Sequence, residues 1–100
     1  MERLVKMAAP PIVPNWMKKK YLLSRLNEIV SCRKALARGE WDTVARAGEN
    51  LNGNAETFGF GSFSEIGGKL EESAENHVSL EAERILSQFE KVVAEELSKF

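Results

Sequence analysis

The sequence contains only one cysteine and one histidine among its 100 residues. A single cysteine, Cys32, excludes an internal disulfide, and no group of Cys and His residues has the spacing of a metal site. The helical pattern around Cys32 predicts a small buried or half-buried thiol rather than a reactive one. No apolar run approaches the roughly 20 residues of a membrane span, and residues 1–14 lack the long apolar segment of a signal peptide. A net charge of −1 gives no general reason to expect nucleic acid as a partner. Because no membrane span, metal-ligand spacing or cofactor motif is present, we also expect no membrane, metal or cofactor.

Strand-like alternation is also absent, whereas four stretches repeat apolar residues at helical spacing. They cover residues 15–38, 41–60, 63–76 and 80–99. The links between them are short, and short links join antiparallel neighbours. We therefore predict an all-α fold, an antiparallel up-down-up-down four-helix bundle over residues 15–100. Three prolines prevent a continuous helix in residues 1–14, which we predict to be a short N-terminal extension with at most a helical turn over residues 2–8.

Residues at the helix boundaries favour particular ends. Asn15 and Ser79 are suitable N-caps for the first and fourth helices, and Ser62 with Glu65 has the spacing of a capping box for the third. Gly39 is expected to end the first helix. The buried stripe of that helix is predicted to contain Leu22, Leu26, Ile29, Val30, Leu36 and Ala37, with Trp16, Met17 and Tyr21 near the first turns.

The stretch over residues 41–60 contains glycines where alanine would favour a helix more strongly. Each glycine costs an exposed helix interior about 0.8–1 kcal/mol relative to alanine. Gly48 and Gly53 therefore predict close approach by a neighbouring helix or by a partner, and Gly67-Gly68 predicts a close helix contact in the third helix. Gly59-Phe60 is the expected ending, with a left-handed glycine and an apolar residue that folds back on the last turn.

Residues 47–60 resemble the signature helix of histidine-containing phosphotransfer (HPt) domains. The pattern of that family is roughly His-x-Leu-Lys-Gly-x-Ala followed by a Phe-Gly turn, and the matching residues here are Leu51, Gly53, Ala55, Phe58 and Gly59. Two positions depart from the pattern. Glu49 stands where the family has its phospho-accepting histidine, and Asn52 stands where it has a lysine. The resemblance extends over roughly residues 12–93 and implies a four-helix bundle.

The resemblance implies a place in two-component signalling, where HPt domains carry a phosphoryl group between aspartates of receiver domains. A carboxylate acceptor would need a metal ion and a cationic pocket around its oxygens. The only cation beside Glu49 is Arg46, which we expect to form a local ion pair with it. We therefore expect no phosphate on Glu49 and no enzymatic activity.

The preferred hypothesis is a signalling module that docks a response-regulator receiver domain or a histidine kinase without carrying phosphate. Glu49 lies at the centre of the predicted docking face, whose members are Ala45, Arg46, Glu49, Asn50, Asn52, Gly53 and Glu56. Its charge could resemble a phosphohistidine or could repel the acidic pocket of a receiver. The resemblance also implies a cytoplasmic location.

Two other hypotheses stay open. The chain could be an active phosphotransfer protein, in which case His77, in the link before the last helix, is the candidate acceptor. It could instead be a structural or oligomerising bundle in which the small residues admit a second copy, so that a monomer and a weak homodimer are both compatible with the sequence. The run from Lys18 to Lys20 is expected to be a solvated face.

Overall fold

The computed structural model describes residues 12–100, and within that range the chain forms four α-helices and one short 3-10 turn. The helices are α1 (Asn15–Ala37), α2 (Trp41–Asn54), α3 (Phe63–Glu75) and α4 (Ser79–Leu97), with the 3-10 turn at Glu56–Phe58. α1 packs against α2 and α4, and α3 packs against the same two helices. The predicted all-α four-helix bundle is therefore confirmed. The helical turn expected over residues 2–8 lies outside the described residues.

Apolar side chains from all four helices meet in one core. The bulkiest of those that are almost completely buried are Phe63, Leu22, Ile29, Leu51, Leu86, Val44 and Val93. Cys32 is buried among them, as its position predicts.

The buried stripe predicted for α1 is partly wrong. Val30 and Ala37 are exposed, as are Trp16 and Met17 near the first turns, whereas the core includes Ala35, which was not predicted. The reason is geometric: the face of α1 that meets the core is centred near the line through Leu22, Ile29 and Leu36. Val30 follows Ile29 by one residue, and one residue rotates a side chain by about 100° around the helix.

α2 and α3 approach each other most closely at two glycines. A Cβ atom built on Gly48 would lie 2.6 Å from the carbonyl oxygen of Gly67, and one built on Gly67 would lie 2.6 Å from the carbonyl oxygen of Gly48. Real Cβ atoms do not come this close to backbone atoms, so the crossing requires glycine on both helices. The close contact predicted at Gly48 and Gly67 is confirmed. Gly68 is in an ordinary environment, with Asn52 Nδ2 at 3.8 Å from a built Cβ.

The end of α2 differs in helix type from the prediction. The α-helix stops at Asn54, about one turn before the predicted glycine ending, and the chain continues as the 3-10 turn. Gly59 then adopts the predicted left-handed conformation, with φ 90°. The backbone N–H of Phe60 donates to the carbonyl oxygen of Ala55 at 2.9 Å, which folds the buried Phe60 ring back on the turn. The glycine ending is confirmed, and tighter turns than those of an α-helix lead to it.

The predicted N-caps are wrong. Asn15 and Ser79 are the first residues of their helices, preceded by Pro14 and Val78 at the N-cap positions. Ser62 already has helical dihedral angles, φ −65° and ψ −20°, and its side chain makes no cap hydrogen bond, so no capping box forms. A capping hydroxyl needs an extended backbone at its own residue. Gly39 ends the α1 region as predicted, with φ 71°.

Candidate functional site

α2 turns its polar side away from the core and presents the predicted docking face. The members of this face, called the Glu49 surface below, are Ala45, Arg46, Glu49, Asn50, Asn52, Gly53 and Glu56. All of them are exposed except Ala45, which is half-buried and packs against the core. They point outward because Val44, Ala47, Gly48 and Leu51 hold the opposite side of α2 in the bundle.

Gly53 differs from the two glycines of the helix crossing. A Cβ atom built on Gly53 meets no atom within 4 Å, whereas one built on Gly48 would clash with the backbone of α3. Contact with α3 therefore explains why residue 48 is a glycine. No contact within the described chain explains why residue 53 is one. Gly53 leaves a bare stretch of helix backbone one turn beyond Glu49.

The charges around Glu49 are mainly negative. The backbone of Glu71 in α3 lies against Gly48, the residue before Glu49. The pKa of Glu71 is raised above its ordinary value, first by loss of hydration and then by the neighbouring carboxylates of Glu75 and Glu49. The expected ion pair between Arg46 and Glu49 does not form among residues 12–100. Glu49 thus has acidic neighbours and no cationic partner in that part of the chain.

His77 lies elsewhere on the bundle and is not an isolated loop residue. It follows α3 in a left-handed conformation, φ 56°, and its backbone N–H donates to the carbonyl oxygen of Ala74 at 3.1 Å. Its ring stacks on Trp41, the first residue of α2, with 4.8 Å between ring centroids. Glu49 is eight residues further along α2, a rise of about 12 Å. The structure therefore does not bring His77 and Glu49 together.

An aromatic cluster joins α1 to the end of α2, and the sequence did not predict it. The Tyr21 ring stacks on Phe58 with centroids 4.5 Å apart, and its hydroxyl donates to Asn54 Oδ1 at 2.9 Å. The guanidinium carbon of Arg25 lies 4.6 Å from the centre of the Tyr21 ring. Burial raises the pKa of the Tyr21 hydroxyl, although Arg25 opposes the shift. The spacing of Tyr21 and Arg25, four residues apart on a helix, was the signal available in the sequence.

A groove runs along this cluster on the outside of the bundle. Its volume is about 430 Å³, and Trp16, Met17 and Lys20 line it together with the Tyr21 cluster. Among residues 12–100 no group of three Cys, His, Asp or Glu side chains is arranged to hold a metal ion. None of the four described helices is both long and apolar enough to cross a membrane.

Comparison with models of protein families, with curated proteins and with solved structures finds no match for this chain. The HPt resemblance therefore depends on the residues of α2 and of the turn that follows it. The class of protein that the structure defines is an all-α four-helix bundle with an exposed, acidic surface around Glu49.

Proposed function

We propose that this protein is an HPt-like signalling module that docks a receiver domain or a histidine kinase through the Glu49 surface without carrying phosphate. The observation that carries the proposal is the exposed Gly53, which lies beside Glu49 with no neighbouring atom in the described chain to require a glycine. A glycine that weakens its helix without serving the packing is explained if a partner approaches its backbone closely. Such a module would act in the cytoplasm, where two-component signalling operates.

The chemistry of the surface supports docking without transfer. A phosphorylated carboxylate needs cations to hold the phosphoryl oxygens. Glu49 instead lies beside Glu71, and Arg46 forms no ion pair with it among residues 12–100. The fixed negative charge of Glu49 favours a partner surface that carries positive charge or a bound divalent cation.

His77 is a weaker candidate for phosphate transfer. Its ring is stacked on Trp41, and no acidic or nucleophilic group orients it among its hydrogen bonds to described residues. A relay histidine also has to reach the acidic pocket of a receiver, which favours the middle of a helix face over the link between α3 and α4.

A phosphotransfer assay tests the proposal directly. A receiver domain labelled with radioactive phosphate is mixed with the natural chain, with Glu49→His, and with the double variant Glu49→His, Asn52→Lys, which restores the family pattern. Glu56→His is the matched control, because it places a histidine at another exposed carboxylate position of the same surface. We expect label on the two Glu49→His chains and none on the natural chain or the control.

The other outcomes separate the alternatives. Label on the natural chain that disappears in His77→Gln would show an active relay through His77. No label on any variant would indicate that the surface does not dock the receiver, and the structural or oligomerising bundle would then be favoured.

Docking itself is measured with Gly53→Gln. This substitution covers the bare backbone and should raise the stability of α2 by up to about 1 kcal/mol, because glutamine is the better helix former. If Gly53 serves a partner, the same variant loses affinity for the receiver while its melting temperature rises. Affinity that survives both Gly53→Gln and Glu49→Gln would contradict the proposed surface.

A further inference from the structure

α1 has apolar side chains on two separate sides, about 100° apart around the helix axis. One side faces the core through a line of buried residues at seven-residue spacing, Leu22, Ile29 and Leu36. The other side carries Trp16, Leu23 and Val30 at the same spacing, and these side chains are 64%, 47% and 50% exposed. A helix of a small bundle usually has one apolar side, and a second one indicates a second contact.

The exposed apolar residues form a single stripe. Two residues that are seven apart differ by two full helical turns less about 20°. Trp16, Leu23 and Val30 therefore lie nearly above one another along the helix. They span about 21 Å along the helix axis, at about 1.5 Å per residue. The positions four residues after each of them, Lys20, Asn27 and Lys34, are exposed and lie in the same stripe. These six residues are called the outer face of α1 below.

The spacing points to a helix as the occupant. Two helices that pack side by side meet at positions repeated every seven residues, alternating three and four residues apart. A helix that lies on a membrane needs a broader apolar side than one apolar residue per two turns. The outer face of α1 has the narrow, repeated pattern of a helix contact.

The charges indicate that this helix is acidic. α1 contains six Lys or Arg residues and one acidic residue, Glu28, which pairs with Arg25. Lys20 and Lys34 form no ion pair among residues 12–100. Two copies of the outer face would bring lysines close to lysines, which disfavours self-association through it. We propose that the outer face of α1 binds an acidic amphipathic helix of a partner protein, a surface separate from the Glu49 surface.

The probe is a synthetic peptide of three heptads with leucine at the first and fourth positions and glutamate at the fifth and seventh. The control peptide has lysine in place of every glutamate. Trp16 reports binding in a Trp41→Phe chain, since its emission moves to shorter wavelength when a partner covers it. We expect saturable one-to-one binding of the glutamate peptide, weakened by added salt, and no binding of the lysine peptide.

Substitutions on the outer face locate the site. Leu23→Lys and Val30→Lys should each weaken binding roughly tenfold or more, because each removes an apolar contact from the centre of the stripe. Leu80→Lys is the matched control, since Leu80 is 85% exposed but lies at the start of α4. The double variant Lys20→Glu, Lys34→Glu should reverse the preference and bind the lysine peptide. Thermal melting followed by circular dichroism checks that each variant is folded.

Three results would overturn the proposal. The first is equal binding of both peptides, and the second is binding that Leu23→Lys does not weaken. The third is failure of the glutamate peptide to bind; in that case a concentration-dependent mass abolished by Leu23→Lys would identify a second copy as the occupant. Binding to phosphatidylserine vesicles with the same sensitivity would identify a membrane surface. Because these variants leave the Glu49 surface intact, the receiver assay is independent of them.

Discussion

The rings of Trp41 and His77 stack almost in parallel, 9° apart, and so connect the start of α2 to the end of α3. His77 has φ 56°, a left-handed conformation that costs a residue with a side chain about 1–2 kcal/mol. An aromatic pair contributes about 0.5–1.5 kcal/mol beyond the burial of its surface. The contact with Trp41 therefore offsets much of the backbone strain at His77.

This balance predicts a context-dependent effect of His77→Gly. In the natural chain the substitution should change the free energy of unfolding by less than about 1 kcal/mol, because it removes the strain and the stack together. In a Trp41→Leu chain, where the stack is already absent, it should stabilise by about 1 kcal/mol. Urea denaturation of the four chains measures both values, and an equal effect in the two backgrounds would show that the ring contact has no energetic role.

The helix crossing predicts opposite effects for substitution of the glycines at the crossing and of the glycine away from it. Gly48→Ala and Gly67→Ala should each destabilise the fold by about 1–3 kcal/mol, because the new Cβ atom forces two backbones apart. Gly53→Ala should stabilise it by up to about 1 kcal/mol, since its Cβ enters open space. Thermal or urea unfolding of the three variants checks the signs. A stabilised Gly48→Ala chain would contradict the crossing.

The hydrogen bond between Tyr21 and Asn54 should be measurable as a coupling. Tyr21→Phe and Asn54→Ala should each lower the free energy of unfolding by about 0.5–1.5 kcal/mol, because each leaves a half-buried polar group without its partner. The double variant should lose less than the sum of the two. Asn50→Ala, at an exposed position of the same helix, is the control and should change stability by no more than about 0.5 kcal/mol. Strict additivity of the two single losses would rule out the bond.

The buried thiol predicts lower stability in alkaline solution. Burial raises the pKa of Cys32 from 9.0 to about 11, with a further contribution from the charge of Glu28. The folded chain keeps a proton that the unfolded chain releases, so this contribution to stability is complete below pH 9 and is lost as the pH rises towards 11. The urea midpoint measured across this range should fall more steeply in the natural chain than in Cys32→Ala.

A decrease should remain in Cys32→Ala, because burial also raises the pKa of Tyr21. Identical pH profiles of the natural chain and Cys32→Ala would contradict a buried, protonated thiol. In the folded state, iodoacetamide at pH 8 should modify Cys32 only as fast as the chain opens.

The period of the apolar residues was sufficient to predict the four helices and their antiparallel order. Period placed Leu22, Ile29 and Leu36 on the buried side of α1 but did not define the edges of that side, because Val30 is as apolar as the residue before it. Those edges depend on contacts with α2 and α4, which are separated from α1 in the sequence. The same limitation explains why the outer face was not predicted.

Helix starts were harder to predict than helix ends. Gly39 and Gly59 adopt the left-handed conformation that glycine favours, so the presence of a glycine was enough to predict both ends. Ser62 could have been a cap only with an extended backbone, and the turn from Phe60 to Ser64 gives it helical angles instead. The helical period of α2 was enough to predict that the Glu49 surface is exposed. The acidic neighbour Glu71 could not be predicted in this way, because it depends on where α3 packs.

The crossing of Gly48 and Gly67 also has a consequence for the thermodynamics of association. Gly48 precedes Glu49 directly, and backbone contact with α3 fixes the rotation and height of α2 at this point. A partner at the Glu49 surface would meet a preformed site, so the chain loses little conformational entropy on binding. The heat-capacity change measured by calorimetry should then match the apolar area covered, with no contribution from coupled folding.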